Sequence, residues 1–189
     1  MTNDSAFSVF GLSPKFELDQ SALESRYYEL SKQLHPDRHS AGDAAARMKS
    51  QQLSALLNRA YLGLRTPEAR LETLLEEAGA LKETGKPVPP SQIPTDLAEE
   101  YFEIQEAVME DDAKAVALVA RFRATLELKK QQLTDEMFEM AKHVQWEAPN
   151  SGETSGKIEK ILELRRQRSY VRSMLTNLDN LATVGATHG

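Results

Sequence analysis

The residues best equipped for chemistry lie in one run, Leu34-His35-Pro36-Asp37-Arg38-His39. Two imidazoles and a carboxylate within five positions (His35, Asp37, His39) are donor types that hold a divalent cation, and such a site would support metal-dependent hydrolysis. No fourth ligand is evident: cysteine is absent, and His143 and His188 lie far along the chain. The zero cysteine count also removes disulfides, a thiolate nucleophile and the usual iron–sulfur ligands, so the expectation is a chain with no metal and no cofactor of its own. No Gly-rich phosphate loop, nucleophile elbow or paired-carboxylate arrangement accompanies the run, and an enzyme is not expected. The plainest reading of His-Pro-Asp is a turn, because Pro fixes φ and Asp can bond the backbone beyond it.

The flanking pattern must position that turn. Leu23, Tyr27, Leu30 and Leu34 recur at helical spacing before it; Met48, Leu53, Leu56, Leu57, Ala60, Tyr61 and Leu64 do so after it. Pro36 disfavours helical geometry at His35, so the first helix ends there. Two amphipathic helices with a short polar connection predict a helical hairpin with His35 and Asp37 at its tip.

The remaining elements are also helical. Ser5 or Asp4 can cap a short helix that Gly11 ends; Asp19 and Ser21 are candidate caps for the helix to Leu34, and Asp43 for the one to Arg65. Thr66-Pro67-Glu68 reads as cap, first-turn proline and acidic first turn, opening a helix that Gly79 ends. Gly85, Pro87, Pro89, Pro90 and Pro94 then break any helix. The chain is therefore divided into residues 1–79, a linker at 80–94 and a second domain at 95–189. After Pro94 the pattern predicts a helix with Leu97, Tyr101, Ile104 and Val108 on one stripe, a long helix over 112–145, a polar loop at 147–156 and a last helix carrying Ile158, Ile161, Leu164, Val171, Leu175 and Leu178. No strand is expected. The fold class is all-α, a hairpin domain followed by a three-helix bundle.

Residues 5–75 resemble a J domain, the module with which DnaJ-type co-chaperones engage 70-kDa heat-shock ATPases. The resemblance rests on Phe7, Val9, Phe10 and Leu12, then a helix, His35-Pro36-Asp37, and a second helix holding Asn58-Arg59-Ala60-Tyr61. Phe10-Gly11-Leu12 with Phe16, Leu18-Asp19, Leu64-Arg65-Thr66-Pro67 and Arg70-Leu71-Glu72-Thr73-Leu74-Leu75 narrow it to the HscB type. That resemblance implies a co-chaperone that binds an iron–sulfur cluster scaffold of the IscU type, delivers it to an ATPase of the HscA/DnaK type and stimulates ATP hydrolysis. Its implied chaperone-binding residues are His35, Pro36, Asp37, Arg26, Lys32 and Arg38. The spacing of Arg26 and Lys32 allows both near one helix side, while Glu29 stands where general J domains often carry a basic residue. The implied scaffold-binding positions are Ala98, Glu99, Phe102, Glu103, Glu106 and Glu110, with Tyr170 joining from the last helix if the two helices are antiparallel neighbours. The family favours larger apolar residues where this chain has Ala98 and Glu99.

Charge agrees with protein partners. Residues 1–75 carry 9 Lys+Arg against 9 Asp+Glu; residues 76–189 carry 14 against 20, which is the whole net charge of −6. Nucleic acid would require a basic footprint that the second half lacks. Met1-Thr2-Asn3-Asp4-Ser5 is no secretory signal and no apolar run reaches bilayer length, so a soluble cytoplasmic protein is expected. Other readings are a J-domain protein for a different client, the hydrolase above, and a structural coiled-coil arm.

Overall fold

The computed structural model describes residues 5–34, 44–83, 95–110 and 114–185. These residues are helical, with no strand among them: α1 (Ala6–Val9), α2 (Gln20–Gln33), α3 (Ala44–Leu64), α4 (Pro67–Glu77), α5 (Thr95–Met109), α6 (Ala115–Lys142) and α7 (Gly152–Gly185). A 3₁₀ turn at Ala80–Glu83 follows α4. The all-α expectation holds. No described helix is long and apolar enough to cross a membrane.

Helix ends lie where the capping chemistry puts them. The Ser5 hydroxyl accepts from the Phe7 amide, the Asp19 carboxylate from Ala22, and Thr66 from Ala69. Gly11 and Gly79, at φ of 68° and 72°, take left-handed conformations past the ends of α1 and α4. Ser21 donates to Asp19 and is not itself the cap. Asp4 and Asp43 lie outside the described residues.

The chain divides into two compact units: Met1–Thr84 with Ala141–Ile158, and Gly85–Met140 with Glu159–Gly189. In the first, α1, α2 and α4 each pack on α3. Phe7, Phe10, Phe16, Leu23, Leu57, Leu64, Leu71, Leu74 and Leu75 are buried. Arg70 is buried with them, 4% exposed. Its Nε and Nη2 donate to the Leu64 carbonyl at 3.0 and 2.8 Å, and its Nη1 to the Phe16 carbonyl at 2.7 Å. One guanidinium thus satisfies an orphan carbonyl at the end of α3 and ties the α1–α2 connector to it. Burial lowers its pKa from the ordinary arginine value, yet arginine keeps its charge. The Glu77 carboxylate accepts from Ser5 Oγ and the Ala6 amide, both at 2.7 Å, anchoring α1 to α4. At Gly63 α3 and α4 approach closely: a Cβ there would lie 2.8 Å from Thr73 Oγ1, which donates to the Gly63 carbonyl.

The predicted loop at 147–156 is shorter than expected, because α7 starts at Gly152. The Lys157 ammonium bonds Glu153 at 2.7 Å and the His143 carbonyl at 3.2 Å, which holds the first turn of α7 against the end of α6. Thr154 is buried. Trp146 is buried too, its Nε1 donating to the Ala141 carbonyl at 3.0 Å.

In the second unit α6 and α7 run antiparallel. Arg123 pairs with Asp179, and eleven residues further along α6 Thr134 meets Arg168, eleven residues back along α7. Apolar stripes on both helices are core: Phe122, Leu126, Leu133 and Met137 on α6, and, as expected, Ile161, Leu164, Val171, Leu175 and Leu178 on α7. On α5, Leu97 and Ile104 are buried, with Tyr101 and Val108 half-buried beside them.

Candidate partner-binding sites

The hairpin of the first unit is antiparallel, with two tie points. At mid-length the Tyr27 and Tyr61 rings stack at 4.2 Å, and the Tyr27 hydroxyl meets Asn58 Oδ1 at 2.9 Å. Seven residues on, at the end of α2, the Leu34 carbonyl accepts from Ser50 Oγ at 2.5 Å and Ser54 Oγ at 3.2 Å. Leu57, Ala60 and Leu64 face the core as the apolar spacing predicts, but Met48 and Leu53 are exposed. Toward the tip the buried position of α3 is taken by Ser50.

His35, Pro36, Asp37, Arg38 and His39 lie outside the described residues, so neither the tripeptide nor the metal-ligand reading acquires geometry. What is described is the root from which the tripeptide leaves. Arg26 and Lys32 are both exposed on α2. Six residues apart, they are rotated by about 120° from one another around α2. Arg26 Nη1 lies 3.2 Å from Glu29, so the departure at position 29 partly offsets the Arg26 charge.

On α5 the residues sort by angle into three stripes, each about 100° round from the last. Leu97, Tyr101, Ile104 and Val108 face the bundle core. Next come Ala98, Phe102, Gln105 and Met109: Ala98 and Gln105 are half-buried, while Phe102 is 65% and Met109 83% exposed. Beyond them Glu99, Glu103, Glu106 and Glu110 are all exposed. Two large apolar side chains therefore stand in water between a packed face and a row of carboxylates.

Tyr170 is half-buried on α7. Its phenol lies near that of Tyr101, whose pKa is raised first by burial and then by Tyr170. Tyr101 in turn meets the Phe122 ring at 6.3 Å, and Glu100 pairs with Arg121. These contacts lie eight residues before the end of α5 and seven after the start of α6, and the connection at 110–114 is too short to run back along a parallel partner, so α5 and α6 are antiparallel and α5 and α7 run parallel. The antiparallel geometry proposed to bring Tyr170 to the patch is not the one found; Tyr170 approaches α5 through Tyr101.

No family model matches the chain. Among solved structures, Chaperone HscB from Vibrio cholerae is similar over 92% of this chain and 99% of its own, at 26% identity and a TM-score of 0.51. The fold is that of an HscB-type co-chaperone. A second similar structure, the human co-chaperone protein HscB, shares the fold at 22% identity and a TM-score of 0.55, over 93% of this chain and 82% of its own. The HscB-like fold accounts for a helical hairpin and a helical bundle in one chain. It does not by itself assign the side chains at either site. Ser50, Ser54 and Arg70 went unnoticed as organising residues in the sequence, because hydroxyls and cations on helices are usually solvated and no spacing rule marks those that cross to a carbonyl.

Proposed function

We propose that the chain is a non-enzymatic co-chaperone for iron–sulfur cluster assembly. It binds a scaffold protein of the IscU type, delivers it to a 70-kDa heat-shock ATPase of the HscA/DnaK type and stimulates ATP hydrolysis there. The ATPase is engaged by His35, Pro36 and Asp37, with Arg26, Lys32 and Arg38 steering an acidic surface. The scaffold is engaged by α5, with Phe102 as anchor, Ala98 beside it, Glu99, Glu103, Glu106 and Glu110 as rim, and Tyr170 as support. Residues 1–79 act as the J domain and 95–189 as the client-binding domain, joined through 80–94. The chain works in the cytoplasm, holds no cofactor and needs no nucleic acid or membrane; the cluster is cargo on the scaffold.

One observation carries this reading: His-Pro-Asp follows directly on the gripped end of α2, in a chain similar to a bacterial HscB over nearly the whole of both chains. The exposed aromatic among carboxylates on α5 supports the client half, since such a centre with a charged surround is the usual anatomy of a binding hot spot. Ala98 and Glu99 favour a second reading, a J-domain co-chaperone for a different client, because they remove apolar surface at the client face. Affinity purification of the tagged chain from its source cell tests the two. Recovery of a cluster scaffold together with a 70-kDa ATPase is the expected result; the ATPase with an unrelated client supports the second reading, and neither partner contradicts both.

A further inference from the structure

Among the described residues, serine and threonine hydroxyls on α3, α6 and α7 bond main-chain carbonyls in two different ways. On α6 and α7, Thr125, Thr134, Ser173 and Thr176 each donate to the carbonyl four residues back in their own helix. That is the ordinary habit of a helical hydroxyl. Ser50 and Ser54 on α3 instead reach across the hairpin, and both reach the same atom, the Leu34 carbonyl oxygen. One turn apart, they fall on one face of α3. A carbonyl oxygen has two lone pairs, and here each has a donor. Leu34 closes α2, where carbonyls lack partners within the helix. Ser50 is only 4% exposed, so water does not readily take its place.

That carbonyl belongs to the peptide joining Leu34 to His35. We propose that Ser50 and Ser54 are positioning residues for the action of the His-Pro-Asp tripeptide: from α3 they fix the carbonyl of Leu34, the residue that precedes it in the chain. Apolar contacts between the helices resist separation but do not orient one peptide plane; two convergent hydrogen bonds do. A root held in one orientation bears on how productively the tripeptide acts once the partner is bound, and so on the stimulated rate more than on binding. The inference rests on the co-chaperone reading above. It adds two residues that touch no partner and act through the backbone.

The test is steady-state ATPase stimulation by the full chain, titrated against the 70-kDa partner, for wild type and for Ser50→Ala, Ser54→Ala and the double variant. Alanine introduces no bulk and favours helix more than serine does, so α3 itself is not weakened. In the double variant, maximal stimulation falls about tenfold, the scale of losing an orienting partner. The half-saturating concentration changes less, because the exposed face of α2 is intact. Ser50→Ala costs more than Ser54→Ala, following the shorter and more buried bond. The Leu34 carbonyl carbon resonance moves in the same order, a readout that reports the hydrogen bonds whatever the partner does. Should the double variant fail to fold, the two single variants carry the same comparison. Wild-type stimulation with equal stimulation by every serine variant overturns the role of the serines and leaves the co-chaperone reading intact. A loss seen only as weaker half-saturation also overturns it. Wild-type protein that never stimulates the ATPase contradicts the underlying reading, and this inference with it.

Discussion

The root of the tripeptide and the exposed face of α5 are built on opposite plans. In the unit that carries the root, side chains serve the backbone: Ser50 and Ser54 hold one carbonyl at the root, and Arg70, beyond the other end of α3, holds the carbonyls of Leu64 and Phe16. On α5 the backbone serves the side chains. A regular helix presents Phe102 and Met109 in the angular gap between its core stripe and its glutamates. The first region depends on polar ties whose loss should loosen a frame. The second depends on surface composition, whose change should leave the frame alone.

The largest expected effect tests the first plan. Arg70→Ala strands two carbonyls in the core and should cost about 3 kcal/mol of unfolding free energy, read by denaturant melts. Arg70→Lys should recover only part, since an ammonium lacks the fork that reaches both carbonyls. A cost below about 1 kcal/mol would break the contrast, because such a loss is what a solvated surface group gives.

Next in size is the reverse case on α5. Phe102→Ala with Tyr170→Ala should weaken scaffold binding by about 2 kcal/mol or more, the hot-spot scale, in a binding titration. Melting temperature should fall little for Phe102→Ala alone, because that ring is already mostly in water. A large drop from Phe102→Ala would mean that the face is structural. Unchanged affinity in a well-folded double variant would remove the site.

The smallest effect sharpens the description of the first unit. Gly63→Ala places a Cβ 2.8 Å from Thr73 Oγ1 and forces that hydroxyl away from its carbonyl. The gain in helix propensity offsets much of the loss, and a net cost of about 1 kcal/mol is expected in thermal melts. Combining it with Thr73→Ala should remove the clash and restore most of that stability. If Gly63→Ala is stabilising, the approach of α3 and α4 is looser than the contact implies.

What the sequence disclosed follows the same contrast. Caps are local chemistry, so Ser5, Asp19, Thr66, Gly11 and Gly79 could be read directly, and the helical stripes followed from period alone. Cross-chain polar ties were not legible. Ser50 and Ser54 look like two hydroxyls in a polar stretch of helix, and only the fold reveals that they meet Leu34. The start of α7 was missed because Gly152 and Gly156 signal a loop, while the bonds of Lys157 to Glu153 and the His143 carbonyl outweigh them. Trp146 was silent for a related reason: nothing in a short polar stretch marks its ring as buried or its indole as bonded to Ala141. On α5 the signal was an excess, two adjacent apolar stripes where one packed face needs a single stripe, and the exposure of Phe102 and Met109 identifies which stripe is surplus.

The most direct measurement is ATPase stimulation of the cognate 70-kDa chaperone, run without and with the scaffold. His35→Gln and Asp37→Asn should each abolish stimulation in both conditions while circular dichroism shows unchanged helix content, because each exchanges one polar side chain for another in the stretch that connects α2 to α3. Phe102→Ala with Tyr170→Ala should stimulate normally without scaffold and lose only the further gain that scaffold brings. Normal stimulation by His35→Gln or Asp37→Asn would contradict the account at its centre.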